Sequence, residues 1–146
     1  MWLYKNKVIN SIEDLPINTF GFIYKITNKE TGKFYIGKKQ LMSNTNVKLG
    51  KKELAALPPQ RGKKPTKKLI TKESNWQEYW GSNKFLLEDI KNLGQDKFQR
   101  EILVICPNKK LLTYWELAMQ CKLDVLQVNC YNDNLLGKFY RKDFIS

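Results

Sequence analysis

Two tyrosines, Tyr24 and Tyr35, are separated by ten residues in the stretch GFIYKITNKETGKFYIGKK, residues 21–39. A phenol can donate a hydrogen bond to a phosphate or to a water. The second phenol is followed at once by Gly37, Lys38 and Lys39, bare backbone and two ammonium groups. Two hydroxyls and positive charge in one small volume suit a phosphate. The plain alternative is a hairpin whose tyrosines only pack. The chain contains no histidine, which excludes nucleases with a histidine general base and hydrolases built on Ser-His or Cys-His pairs. A proton acceptor near neutral pH must then be tyrosine, lysine, a carboxylate or a water activated by a metal.

The charge balance points to the partner. The formal net charge is +12 over 146 residues, which implies a polyanion, most simply nucleic acid. Much of the surplus lies in 48–72, where Lys48, Lys51, Lys52, Arg61, Lys63, Lys64, Lys67, Lys68 and Lys72 face one acid, Glu53. No segment combines a basic face with a wide apolar one, as a membrane-surface helix would, and no run has the length of a membrane span. The N-terminus lacks the apolar stretch of a secretory signal. Cys106, Cys121 and Cys130 are odd in number and widely spaced. Reduced thiols of a cytoplasmic protein are expected, and a zinc site is not.

The elements that must position these groups fit one domain, residues 1–146. Phe20–Ile26 and Phe34–Ile36 flank the turn Asn28–Gly32 and read as a β-hairpin. A turn centred near Lys29–Glu30 would place the tyrosines nearly opposite each other. Trp2–Ile9 could supply one short strand, and Ser11–Asp14 a short helix stopped by Pro16. Lys51–Leu57 reads as a short helix ended by Pro58-Pro59, with Gln60–Lys68 an exposed loop. Gly81-Ser82-Asn83 forms a turn and N-cap for a helix carrying Leu86, Ile90 and Leu93, stopped by Gly94. Phe98–Ile105 is a third strand. Leu111–Lys122 is an amphipathic helix with a stripe of Leu111/Leu112, Trp115, Ala118 and Met119, and Glu116 lies at its edge. Trp76, Tyr79 and Trp80 either stack on bases or wedge their loop onto the core.

The pair G-x-I-Y and Y-I-G, aligned on the tyrosines, resembles the signature of the GIY-YIG endonuclease family. The resemblance runs from about residue 20 to 132, with a basic insertion at about 41–72. It implies an α+β fold, a small three-stranded antiparallel sheet flanked by helices. It also implies a role for each matching residue. Glu116 would bind one divalent metal, Mg²⁺ or Mn²⁺. Tyr24 would orient or deprotonate the water, helped by Lys38 and Lys39, because an isolated phenol has a pKa near about 10. Lys38 would contact the phosphate or help to activate the nucleophile. Tyr35 would hydrogen-bond the phosphate or the water. Asn132 would hold the site together, with a structural turn as the other reading. Lys39, Lys63, Lys64, Lys67, Lys68, Trp76, Trp80 and Ser82 are the expected nucleic-acid contacts.

One departure matters. The family's arginine, usually on a helix shortly after Y-I-G, has no counterpart in Gln40–Thr45. Arg61 could reach the same place from the insertion; Arg100 is a weaker candidate, and Lys67 or Lys68 could act as a point charge. The expectation is a metal-dependent endonuclease that hydrolyses double-stranded DNA, one strand per active site. It resembles stand-alone enzymes of phages and mobile elements, acting in the cytoplasm of the cell or host as a monomer or homodimer. The alternatives are a catalytically weak nucleic-acid-binding module that keeps the fold, and a basic structural protein.

Overall fold

The computed structural model describes residues 1–144. Its centre is a five-stranded sheet in the order β2-β1-β7-β3-β4. The strands are β1 (Trp2–Tyr4), β2 (Lys7–Ile9), β3 (Gly21–Asn28), β4 (Phe34–Gln40) and β7 (Phe98–Cys106). β3 lies antiparallel between β4 and β7, while β1 runs parallel to β7. The three-stranded expectation is therefore corrected to five. Trp2–Ile9 is not one strand but a hairpin, because Lys5 and Asn6 both take positive φ, 50° and 65°. Two such residues in succession make a tight two-residue turn, and the N-terminal hairpin extends the sheet beyond β7.

Each sheet face has its own core. Trp2, Phe22, Tyr24, Ile26, Phe98 and Ile102 pack on one face with Trp76, Leu86 and Ile90. The last two are the buried residues of α2 (Lys84–Leu93). Asn83 caps that helix by accepting from Leu86 N–H, and Gly94, at φ 94°, ends it. On the other face Ile23, Ile36 and Cys106 pack with Leu112 of α3 (Lys109–Lys122) and with Val125, Leu126 and Cys130. The pairing of β3 with β7 shifts by one between Ile23 and Tyr24. Leu103 is the extra residue, and it packs with Val104 on the α3 side. Such a bulge re-aims the side chains around it.

The basic insertion is not a bare loop. β5 (Met42–Lys48) pairs antiparallel with β6 (Lys67–Glu73) in a separate two-stranded ribbon. Between them lie α1 (Lys51–Ala55) and an irregular basic segment. The loop expected over Gln60–Lys68 thus ends at β6. Hydrogen bonds close the ribbon's base, from Ser74 N–H to Leu41 O (2.8 Å) and from Ser74 Oγ to Gln40 O (2.6 Å). A last small hairpin, β8 (Asn134–Leu135) with β9 (Phe139–Tyr140), follows Asn132. None of the described helices is long and apolar enough to cross a membrane.

Candidate active site

The site sits on β4, the strand at one edge of the sheet. In the register of β3 and β4, Tyr24 pairs with Gly37 and Ile26 with Tyr35. The tyrosines are diagonal rather than opposite. A displacement of two residues keeps both on one face, and their ring centres lie 6.1 Å apart. Asn28 sets this register. Its Oδ1 accepts from Glu30 and Thr31 N–H, while its N–H donates to Lys33 O.

The glycines of the motif have a steric reason. A Cβ on Gly37 would lie 2.6 Å from Tyr24 Cζ and 3.0 Å from Tyr35 Cε1. A Cβ on Gly21 would lie 2.6 Å from Lys39 O and 3.1 Å from Leu112 Cδ2. Gly81, at φ 88°, passes within 3.4 Å of the Tyr24 hydroxyl by the same measure. The Tyr24 phenol thus lies across the bare backbone of β4 and beneath that of Gly81.

Glu116 reaches the same edge from the other side. Leu112, Glu116 and Gln120 follow at four-residue spacing on α3, so they share the inward stripe. Leu112 and Gln120 are buried, whereas Trp115 is 37 % exposed. The expected stripe is corrected here: Glu116 lies within the inward stripe, and Trp115 turns outward against Tyr114. The Glu116 carboxylate is 3.9 Å from Lys38 Nζ. Burial pushes its pKa up, and the Lys38 ammonium pulls the other way.

Burial also pushes both phenols up. For Tyr24 the neighbouring Tyr35 and Tyr79 hydroxyls and the Glu116 carboxylate add to the rise. For Tyr35 the Ser82 hydroxyl opposes burial, and Glu116 and Tyr79 reinforce it. No ammonium lowers either one. Lys39 does not serve Tyr24: its Nζ lies 4.1 Å from the Tyr79 ring centre and donates to Asn75 Oδ1 at 2.8 Å. In this environment both phenols remain protonated and act as hydrogen-bond donors.

A polar cavity of about 260 Å³ opens here, lined among others by Tyr35, Asn83, Glu116, Gln120, Asn132 and Asp133. Asn132 is buried and clamps the strand edge. Its Oδ1 accepts from Ile36 N–H and its Nδ2 donates to Ile36 O, both at 2.9 Å. Gln120 Nε2 also donates to Ile36 O, at 3.2 Å. A second cavity of about 260 Å³ lies beside the first along β4, lined by Lys38, Lys39, Tyr79, Lys109 and Thr113 among others.

Tyr24, Tyr35, Lys38, Ser82, Glu116 and Asn132 therefore converge. The other expected residues do not. Trp76 is fully buried, donating its indole N–H to Glu73 Oε1, which removes it from any nucleic-acid surface. Trp80 is half-buried with its ring 4.2 Å from the Arg100 guanidinium, so the wedge reading describes both. Arg100 is buried between Trp2 and Trp80 and donates to Gln77 O and Tyr79 O. Arg61, Lys63, Lys64, Lys67 and Lys68 are exposed on the insertion, where Lys68 pairs with Glu53 at 2.8 Å. Arg61 makes no hydrogen bond to the site among the described residues.

Tyr79, Asn83, Gln120 and Asp133 line or border the site without having been singled out for it. For Gln120 the signal was its position one turn beyond Glu116. Asp133 had no local signal, because the backbone after Asn132 turns it toward the cavity.

The family model described as "Putative endonuclease segE, GIY-YIG domain" matches residues 2–143. The chain belongs to the GIY-YIG family. No curated protein and no solved structure matches it. A GIY-YIG nuclease domain implies a nucleic-acid substrate, and the match extends through the N-terminal hairpin and the ribbon as well as the signature. Tyr24, Tyr35 and Gly37 of that signature pack against one another at the edge of β4.

Proposed function

We propose that this GIY-YIG protein is a metal-dependent endonuclease that hydrolyses double-stranded DNA, one strand per site. The observation that carries the reading is a polar cavity lined by Tyr35 and the half-buried carboxylate of Glu116, with Lys38 3.9 Å from that carboxylate and the buried Tyr24 packed against Tyr35. The donor set suits Mg²⁺ or Mn²⁺. Among the described residues Glu116 forms one ion pair, with Lys38 at 3.9 Å, and accepts no hydrogen bond, so its carboxylate oxygens stay available. No group of three or more acidic or thiol side chains forms a metal cluster among the described residues. Mg²⁺ tolerates a single carboxylate because it keeps several waters and binds phosphate oxygens. The metal, when bound, supplies charge neutralisation at phosphorus and a more acidic water.

The chain's own groups do the rest. Tyr35 donates to a phosphate oxygen. Tyr24, protonated and fixed by Gly37 and Gly81, donates to the water or the phosphate and sets its direction. The Lys38 ammonium offsets charge that develops on the phosphate oxygens. Asn132 holds β4 straight beneath them. Water adds to phosphorus and gives up a proton, one P–O ester bond breaks, and a proton is returned to the leaving oxygen, so the step is balanced overall. The lysines of the insertion hold the DNA backbone. We place the protein among small phage or mobile-element nucleases that act in the cytoplasm. A double-strand break then needs a dimer or two separate events.

One observation favours the second reading, a DNA-binding module without turnover. Arg100 and Arg141 are both engaged by backbone carbonyls and Arg61 lies exposed on the insertion, so no arginine lines the cavity among the described residues. Nicking of supercoiled plasmid with and without Mg²⁺ decides between them. Mg²⁺-dependent nicks that Glu116→Ala abolishes support the nuclease. Salt-sensitive binding with no nicks supports the module.

A further inference from the structure

The β5–β6 ribbon has two unlike faces. Side chains alternate along each strand, and residues directly opposite each other share a face. Ser43, Thr45, Val47, Lys68, Ile70 and Lys72 form one face. Lys68 there pairs with Glu53, which ties this face to α1. Asn44, Asn46, Lys48, Lys67, Leu69 and Thr71 form the other, with Met42 and Glu73 on the same side at the ribbon's base, where Glu73 accepts the Trp76 indole N–H. On this second face Thr71 Oγ1 donates to Asn44 Oδ1 at 2.7 Å. That bond holds the Asn44 amide through its oxygen, and its NH₂ has no hydrogen-bond partner among the described residues. The Asn46 side chain has no hydrogen-bond partner among the described residues, and Leu69 opposite it is 62 % exposed.

Stability does not explain this face, since every residue of β6 is exposed. Two amides, a hydroxyl and an exposed apolar side chain between lysines match the edge of a base pair flanked by phosphates. Asparagine can bond adenine in the major groove through both its donor and its acceptor, and apolar groups meet the thymine methyl. The groove, about 12 Å wide, admits a two-stranded β-ribbon. Seven residues per strand, at about 3.3 Å each, give a ribbon of roughly 23 Å, long enough to cross it. The surrounding block carries nine cations against Glu53.

We propose that the Asn44/Asn46/Thr71 face of the ribbon enters the major groove of duplex DNA and reads adenine-containing base pairs, while Lys48 and Lys67 hold the flanking phosphates. The surface rests on the nuclease reading for its partner. It adds what that reading lacks, a determinant of where on the DNA the protein sits.

The test uses full-length Glu116→Ala protein, so that binding is read without cleavage. A pool of DNA duplexes with a randomised central segment is bound in Mg²⁺, and the retained sequences are compared with the input. The expected result is enrichment of a short motif with one or two fixed A·T pairs, discriminated roughly 5- to 100-fold per position. Adding Asn46→Ala, or Asn44→Ala with Thr71→Ala, erases that preference and lowers affinity for an unenriched duplex less than threefold. Duplex RNA of the same sequences should bind without the preference, because its major groove is too narrow to enter. No motif from the Glu116→Ala protein overturns the proposal. So does a motif that survives both sets of substitutions, or an equal loss of affinity for every sequence. A chain that enriches a motif but never nicks plasmid would lose the nuclease reading and keep this one. A chain that nicks without a motif would do the reverse.

Discussion

The body that carries the tyrosines and the ribbon that carries the lysines obey opposite constraints. In the body Trp2, Phe22, Tyr24 and Trp76 are buried with edge-on ring contacts, and a single Cβ on Gly37 would collide with two phenols. In the ribbon no strand residue is buried, and Lys68–Glu53 is one of its few side-chain bonds. The hydrogen bonds of Ser74 with Leu41 and Gln40 mark where one regime ends and the other begins. A reaction centre needs fixed distances, so its residues are hemmed in. A surface that meets a polyanion needs charge and reach, and it tolerates substitution. On the proposed reading, substitutions in the ribbon would change what the chain binds without disturbing the packing of the body.

Substitutions can break this contrast or sharpen it. Trp76→Ala removes a fully buried ring and should cost about 3–5 kcal/mol, lowering Tm by at least about 10 °C in a thermal scan. An unchanged Tm would dissolve the distinction between body and ribbon. Glu116→Ala should lower plasmid nicking on the order of 10³-fold, the equivalent of several kcal/mol of charge stabilisation. It should not lower Tm at neutral pH, because burial disfavours the ionised carboxylate that the substitution removes.

The pH dependence carries a sign. The folded-state pKa of Glu116 is raised, so the folded protein binds this proton more readily than the unfolded chain does. The contribution of Glu116 to stability then grows as pH falls through that raised pKa. On the proposed mechanism activity needs the carboxylate ionised and should fall over the same range. Nicking rates should therefore decline on mild acidification while Tm does not. Lys38→Gln removes the charge that holds Glu116 down, and the acidic limb should move to higher pH. A limb that stays put would separate Lys38 from Glu116.

The smallest effect is expected in the ribbon. Lys63→Gln with Lys64→Gln should leave stability within about 0.5 kcal/mol. The dependence of DNA affinity on salt should flatten by about 1.8 in log–log slope if both lysines meet phosphates, as read by fluorescence anisotropy.

Much of the body was legible because its elements are periodic and locally marked. Phe98–Ile105, the helix ended by Gly94, the Asn83 cap and the hairpin around Asn28–Gly32 all carry short-range signals. The sequence did not reveal features whose partners are far away. The ribbon strands, SNTNVK against KKLITK, have no apolar face to announce them, and they pair across a long insertion. The turn at Lys5-Asn6 lacks the glycine that usually signals positive φ. Arg141 reaches back to the carbonyls of Val125, Val128, Cys130 and Asn132, and no local pattern marks such an anchor. Of the site, the signature tyrosines and Glu116 were readable from spacing and resemblance. The fates of Trp76 and Arg100 were not, because a tryptophan or an arginine reads the same whether it meets a base or a neighbouring backbone.

The position of β7 has a consequence for how this protein comes to life on the ribosome. β7 is the strand that joins β1 to β3, yet it is made long after both. Until it emerges, Tyr24 has no complete sheet to be buried in, and Glu116 follows later still. The nascent chain can already display the ribbon's lysines while its phenols and its carboxylate have not met. Assembly of the candidate site thus waits on the last strand of the sheet and on α3, whatever the order in which its other parts were made.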